Sequence, residues 1–252
     1  MSTVRIGIDV GGSSIKAACV DVATGEVVGS TLGVPTPQPA AVGPMIDTFV
    51  DLDRRLGSQG PVGLALPSVV QHGIARTAAN IDKGWIGVDA AARLGARLQR
   101  PVVFLNDADA AGLAEMRWGA GRGTQGTVIM LTFGTGIGSA VFVDGVLVPN
   151  TEFGHMEMDG QDAELTASAR VRTELSLDWP AWCERVNRFL ARMHALFWPD
   201  VFILGGSVTE NFATFGPLLS SPAEIRVAQF AGQAGVVGAA LAAAALAPAR
   251  LR

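Results

Sequence analysis

The chain has 252 residues, 49% of them hydrophobic and 17% charged, which is enough apolar material for one large core or two modest ones and excludes wholesale disorder. The formal net charge of −4 argues against a general nucleic-acid binder, whose surface is basic. The two cysteines, Cys19 and Cys183, form no Cys-x-x-Cys pair, so a cysteine-built zinc site is excluded and a disulfide framework is disfavoured.

The N-terminal segment MSTVRIGID lacks the long apolar run of a signal peptide. VRIGIDV, IKAACVDV and EVVGSTL alternate in strand fashion, parted by turns at Gly11-Gly12-Ser13 and Ala23-Thr24-Gly25. This predicts an antiparallel meander that opens a sheet. A proline-rich connection, VPTPQPA, leads to a helix over Met45–Leu56. PVGLALPSVV reads as a strand ending at Pro67, Asp89–Leu98 as a helix, PVVFLND as a buried strand and Ala108–Trp118 as the helix after it. TVIMLTF and SAVFVDGVLV are predicted as strands around a glycine-rich turn. Pro180–Leu196 reads as a long amphipathic helix and DVFILGG as a late buried strand. The alanine-rich segment Ala234–Ala247 is too short to span a bilayer and is expected to be a packed helix of a soluble, cytoplasmic protein. Strands mixed with helices in this order mean an α/β fold. GSSIKAA, Gly12–Ala18, aligns with GTGIGSA, Gly134–Ala140, and each precedes a strand with an aspartate near its end, Asp21 or Asp144. The echo suggests a duplicated fold.

DVGGSSIK and TFGTGIGS share a physical character. Glycines at a tight turn let backbone N–H groups crowd around an anion. Ser13, Ser14, Thr132 and Thr135 add hydroxyl donors, and Lys16, one of two lysines with Lys83, adds charge. Asp9 ends the first strand, where it suits a magnesium ion, directly or through water. Each turn alone also reads as a plain hairpin turn, and neither has Walker A or dinucleotide spacing. Two of them, with ILGGS at Ile203–Ser207, favour phosphate handling.

Asn106-Asp107 closes a buried strand, where α/β proteins place chemistry. Phosphoryl transfer to a hydroxyl needs a carboxylate that orients the hydroxyl and takes its proton. Asp107 is the candidate base and Asn106 a candidate hydroxyl ligand; Asp109, near a helix start, reads mostly as a cap. EFGHMEMDGQDAE, Glu152–Glu164, holds one histidine and five carboxylates, which leaves a metal site, a sugar clamp and a polar loop open. His72 and His194 read as surface or packing residues, Trp85 as a cleft-lining, core or interface residue, and Trp179, Trp182 and Trp198 as packing.

DVGGSSIKAACVD, LNDADAAGLAE, LTFGTGIGSAVFVDG, EFGH and ILGGSV together resemble the repressor–ORF–kinase (ROK) family of sugar kinases. RTAANIDKGWIG, LNDADAAGLAEMRWGAG, EFGHMEMDGQDAE and LSLDWPAWCERV are most similar to its branch of polyphosphate glucokinases and glucomannokinases. The resemblance implies an α/β, actin-like ATPase fold of two ribonuclease-H-like halves, with sugar and phosphoryl donor in the cleft between them. The small domain is expected over 1–106, with helix 235–252 packing back on it, and the large domain over 107–234. The implied enzyme phosphorylates glucose, with mannose as a further candidate acceptor, at the 6-hydroxyl from polyphosphate and/or ATP with Mg2+. A strictly ATP-dependent kinase for glucose or another hexose, and a non-catalytic sugar binder, are the alternatives.

By motif, the resemblance assigns Asp107 as the catalytic base. It assigns Pro67, Ser68, Asn80, Asn106, Asp107, Glu152, His155 and Glu164 to the sugar. Asp9, Gly11, Gly12, Ser13 and Lys16 form a first phosphate loop, and Thr132, Gly134, Thr135 and Gly136 a second. Gly205 and Gly206 fall on the nucleoside side, and Asp9 is the candidate for magnesium. A homodimer is implied, with no nucleic-acid or membrane partner. Three departures stand out. The MEMDGQDAE segment lacks the family's zinc-binding cysteines, so no zinc is implied. Ser68 replaces the usual glycine after Pro67. GGSVTENFATF lacks the lysines polyphosphate users often place there, which leaves Lys16, Lys83, Arg117 and Arg122 as cationic candidates for a polyanion. Repressors of the family carry an N-terminal helix-turn-helix domain, for which the early first strand is expected to leave no room.

Overall fold

The computed structural model describes residues 3–246. The chain divides into two compact units: one runs up to Ala114 and resumes at Gln233, and the other is Glu115–Gly232.

The first unit opens with the expected meander, β1 (Val4–Val10), β2 (Ser14–Asp21) and β3 (Glu26–Pro35). Helix α1 (Val42–Leu56) starts three residues before its predicted bound, because Pro44 falls in the first turn, where a missing N–H costs no helix bond. Strand β4 (Val62–Leu66) stops before Pro67, followed by the small hairpin β5 (Val70–Gln71) and β6 (Ile74–Ala75). Asp89 caps α2 (Ala90–Leu98) by accepting from the Ala92 amide. β7 (Val102–Asn106) runs directly into α3 (Asp107–Trp118), within which the chain leaves the first unit. The sheet order is β3-β2-β1-β4-β7, with β1, β4 and β7 parallel. Ile6, Ile8 and Leu64 pack with Met45 and Phe49 of α1 and with Trp85. Trp85 is fully buried, and its indole N–H donates to the Ala40 carbonyl at 2.9 Å, so it is a core residue.

The second unit repeats the plan. β8 (Thr127–Phe133), β9 (Ile137–Val143) and β10 (Val146–Val148) form a meander. The single strand expected over Ser139–Val148 is two strands, because Asp144 (φ 50°) and Gly145 (φ 79°) make a two-residue hairpin turn. A second such turn, Asp159-Gly160, joins β11 (Glu157–Met158) to β12 (Gln161–Asp162). Short helices α4 (Glu164–Ala167) and α5 (Ala169–Glu174) precede α6 (Trp179–Phe197), which Asp178 caps by accepting from Ala181 at 2.9 Å. Trp182, Val186, Phe189 and Met193 of α6 share one core with Ile129, Leu131 and Phe202. β13 (Val201–Gly205), α7 (Phe212–Phe215) and β14 (Glu224–Val227) complete the unit, and the sheet order is β10-β9-β8-β13-β14. Trp179 stacks on Phe215. Trp198 is not a core packing residue: it stands 73% exposed as the left-handed C-cap of α6, its ring against His194.

The chain returns to the first unit with α8 (Ala234–Ala244). Its small residues let it lie directly on the sheet. A Cβ on Gly7 of β1 would fall 1.9 Å from the Val236 carbonyl oxygen, and one on Gly63 of β4 1.8 Å from that of Ala239. The part of the expected helix over 247–252 lies outside the described residues. Among the described residues no helix is long and apolar enough to cross a membrane.

Candidate active site

In the first unit, parallel strands β1, β4 and β7 end side by side: Asp9 pairs with Ala65, and Leu66 with Asn106. Asp9 and Asn106 lie at these strand ends, and the other candidates of this unit lie in the segments that follow them. The first glycine turn is closed by the Gly11 amide donating to the Ser14 carbonyl at 2.9 Å, and Gly11, Gly12 and Ser13 are exposed. Lys16 stands opposite Asp9 across β1–β2. Burial pushes the Asp9 carboxyl up to about 6, with Lys16 pulling the other way. A single hard carboxylate beside an exposed glycine turn fits magnesium, which takes one or two carboxylates and draws the rest of its shell from phosphates and water.

Asn80, at φ 59°, packs against Gly12, where a Cβ would lie 3.3 Å from the Asn80 Cβ. Pro67 and Ser68 are buried. The Pro67 carbonyl accepts from Ala79, and the Ser68 hydroxyl donates to the Thr77 carbonyl at 2.7 Å, so the departure at Ser68 is absorbed by the protein's own backbone.

Asn106 caps α3: its Oδ1 accepts from the amides of Ala108 at 2.8 Å and Asp109 at 3.1 Å, while its Nδ2 donates to the Ser68 carbonyl at 3.3 Å. The cap expected from Asp109 therefore comes from Asn106; Asp109 lies within the first turn of α3, buried. Capping needs extended backbone just before the helix, and here only Asn106 ends the strand. Asp107 is the first residue of α3, half-buried, and its Oδ1 accepts from Ala108 at 2.9 Å. It thus sits at a helix N-terminus, where backbone N–H groups favour negative charge.

In the second unit the ends of β8 and β13 stand together, with Thr132 level with Gly205. The glycine turn after β8 is closed by the Gly134 amide donating to Gly136 at 3.0 Å. Thr135 is its exposed tip, and Gly206 takes φ 90° just past β13.

The Glu152–Glu164 segment resolves into separate tasks. His155 Nδ1 lies 2.9 Å from Asp162 Oδ2. That hydrogen bond raises the His155 imidazole above its ordinary value; burial opposes it, and Glu164, Glu152 and the Asp162 charge add to it. Burial raises the Glu152 carboxyl, His155 lowers it and Glu164 raises it further. Glu164 Oε2 accepts from the Ile137 amide at 3.1 Å, and a Cβ on Gly136 would come within 2.3 Å of that oxygen. Glu164 therefore braces the second glycine turn. The pairing of Asp162 with His155 is created by the β11–β12 hairpin, whose Asp159 also pairs with Arg188 of α6. Among the described residues, no group of three or more histidine, cysteine, aspartate or glutamate side chains stands ready to hold a metal ion.

The ROK family model matches residues 5–174. The chain is 46% identical over 237 residues to a polyphosphate glucokinase of Mycobacterium tuberculosis, covering 94% of this chain and 89% of that one. Among solved structures it is similar to the inorganic polyphosphate/ATP-glucomannokinase of Arthrobacter sp. strain KM, with TM-score 0.92, 43% identity and coverage of 96% and 99%. A ROK family glucokinase from Streptomyces griseus, in complex with glucose and AMPPNP, matches with TM-score 0.80, 25% identity and coverage of 94% and 98%. Two sheets of like strand order, each an antiparallel meander continued by parallel strands, give this chain the actin-like ATPase fold of those kinases. By sequence and by fold, the chain belongs to the ROK family.

Proposed function

We propose that this chain is a phosphotransferase that moves the terminal phosphoryl group of inorganic polyphosphate or ATP to the 6-hydroxyl of glucose, with mannose as a second acceptor. The observation that carries the reading is in the first unit: a glycine turn with Asp9 and Lys16 stands at one strand end, and Asp107 opens a helix two strands along the same edge. The names of the relatives support glucose, mannose and the two donors.

Asp107 orients the sugar hydroxyl and takes its proton as the new P–O bond forms and the donor's bridging P–O bond breaks, releasing the shortened polyphosphate or ADP. Amides of the first turn, with Lys16, stabilise the charge on the transferred group, and Thr132, Gly134, Thr135 and Gly136 are further candidates for phosphate. Magnesium, when bound, neutralises donor oxygens, and Asp9 would hold it directly or through water. Glu152, His155 and Glu164 accept or donate hydrogen bonds to paired sugar hydroxyls. Asn80 is a further candidate for the sugar, and Pro67, Ser68 and Asn106, whose polar atoms bond to the protein's own backbone, shape the loops beside it. A sugar binder without turnover has no use for Asp107 and Lys16.

One observation favours a strictly ATP-dependent second reading: Gly205–Phe215 carries no lysine or arginine, and a long polyanion binds best to a basic track. The test is purified protein with glucose and mannose, each against ATP and long-chain polyphosphate. Product with ATP alone selects the second reading, and no product from glucose with either donor sinks both. Light scattering on the same sample tests the proposed homodimer.

A further inference from the structure

The proline-rich connection between β3 and α1 belongs to no helix or strand past Pro35, yet it grips the first glycine turn. Three consecutive turn carbonyls end on it. The Thr36 hydroxyl donates to Gly11 at 2.7 Å, the Gln38 side-chain amide to Gly12 at 3.3 Å, and the Thr36 backbone amide to Ser13 at 3.1 Å. Thr36 is buried, 4% exposed, beneath an exposed turn. In a trans peptide the carbonyl and the following N–H point in opposite directions. Holding the Gly11 and Gly12 carbonyls from below therefore aims the amides of Gly12 and Ser13 outward. The connection is itself anchored at Ala40, whose carbonyl accepts from the Trp85 indole at 2.9 Å and from the Asp82 amide at 3.3 Å. The same Asn80–Trp85 stretch carries the Asn80 side chain that packs on Gly12.

We infer that Thr36 and Gln38 are positioning residues that preset the first turn's amides for the donor's phosphates, with Trp85 fixing the strap they stand on. This rests on the reading that the first turn takes those phosphates. Anion-binding turns work when their N–H groups are already aimed, because ordering them on binding would cost affinity. Thr36→Val keeps the volume and removes the hydroxyl; Thr36→Ser keeps it.

The experiment measures KM for donor at saturating glucose, KM for glucose at saturating donor, and thermal melting, for wild type, T36V, T36S, Q38A and W85F. T36V should raise the donor KM about tenfold, the effect of one lost aiming hydrogen bond, while glucose KM stays within about twofold. T36S should restore the donor KM, a rescue that a packing role would not need. Q38A and W85F should each shift donor KM in the same direction, and Q38A, at an exposed residue, supplies the test if T36V does not fold. A donor KM unchanged in folded T36V, or unchanged in Q38A where T36V is lost, overturns the inference. So does an equal rise in both KM values. If wild type forms no product, the kinase reading fails by itself, and calorimetric binding of inorganic tripolyphosphate then decides: weaker binding by T36V supports the positioning role, and equal binding, or none by wild type, overturns it.

Discussion

Gly235 is the position where packing and chemistry separate most sharply. It lies in the first turn of α8, and a Cβ there would stand 2.6 Å from Asp9 Cγ and 2.7 and 2.8 Å from its two carboxyl oxygens. Carbon atoms in contact settle near about 3.5 Å, so Gly235→Ala must drive the Asp9 carboxyl away by roughly 0.9 Å. The short aspartate side chain has little slack to absorb this. In the helix itself the change is favourable by up to about 1 kcal/mol, since alanine loses less backbone entropy than glycine. These two effects offset in stability and do not offset in activity. A shift of about 1 Å in a reacting constellation costs on the order of 100-fold in rate. G235A should therefore melt within a few degrees of wild type and lose about 100-fold in kcat/KM for phosphoryl transfer to glucose. Gly7→Ala is the contrast: its Cβ would meet the Val236 carbonyl at 1.9 Å, where backbone blocks the way, and overpacking should cost about 3 kcal/mol of stability. The assay pairs circular-dichroism melts with coupled kinetics. A folded G235A with activity within about threefold of wild type would refute the placement of Asp9 at the chemistry, since misplacement on this scale should cost far more.

Three further outcomes are expected. Asp107→Asn should lower turnover by about 10²- to 10⁴-fold, the range of a lost general base, while calorimetric glucose affinity stays nearly unchanged; near-normal turnover would remove Asp107 from its role. Asp162→Asn should destabilise in a pH-dependent way. A histidine raised by its partner contributes stability that is fully present below its unfolded value, near about 6.5, and is lost as pH rises through the raised folded value. The melting deficit of D162N should thus be larger at about pH 5.5 than at about pH 8.5, and an equal deficit at both would deny the linkage. Glu115 is fully buried and its carboxylate accepts from the amides of Ala120, Gln229 and Phe230 at 2.7–2.8 Å. Glu115→Gln turns an NH2 toward one of these donors and should cost about 2 kcal/mol in urea unfolding; a cost under about 0.5 kcal/mol would show that the three bonds are replaceable.

The architecture was legible where its signals are local. Alternation with glycine turns marked the two meanders, and the echo between Gly12–Ala18 and Gly134–Ala140 anticipated two sheets of one order. Asn106-Asp107 was found because a buried strand passing straight into a helix leaves a recognisable composition. The cap was misassigned to Asp109 because capping depends on which residue keeps extended backbone, and strand β7 stops at Asn106, one residue before its expected end, so that the helix already begins at Asp107. The Asp144-Gly145 hairpin was passed over inside an apolar run, although Asp-Gly is a strong turn signal. Glu164 bracing Ile137, and Thr36 holding Gly11, join residues 27 and 25 apart, and no period or spacing in the sequence predicts such pairs. Trp198 looked like its apolar neighbours; only the left-handed end of α6 turns it outward.

The two glycine turns show why a sequence echo cannot be read as an echo of function. Both join the first two strands of a sheet, and both are closed by one short backbone bond. The first is held through its carbonyls by Thr36 and Gln38, which takes acceptors out of play and leaves amides to face a ligand. In the second, Glu164 takes the Ile137 amide, and the Gly134 carbonyl accepts from Arg170. A carboxylate so placed occupies a donor and adds negative charge, both unfavourable to an incoming anion. A Cβ on Gly12 would crowd Asn80 at 3.3 Å and one on Gly136 would meet the Glu164 carboxylate at 2.3 Å, two unlike neighbours. On the proposed reading, the held carbonyls, which leave amides facing outward, make the first turn the stronger phosphate grip. Glu164 ties the second turn to the segment of Glu152 and His155, so that on the same reading a change at Gly136 should be felt by the sugar before it is felt by the donor.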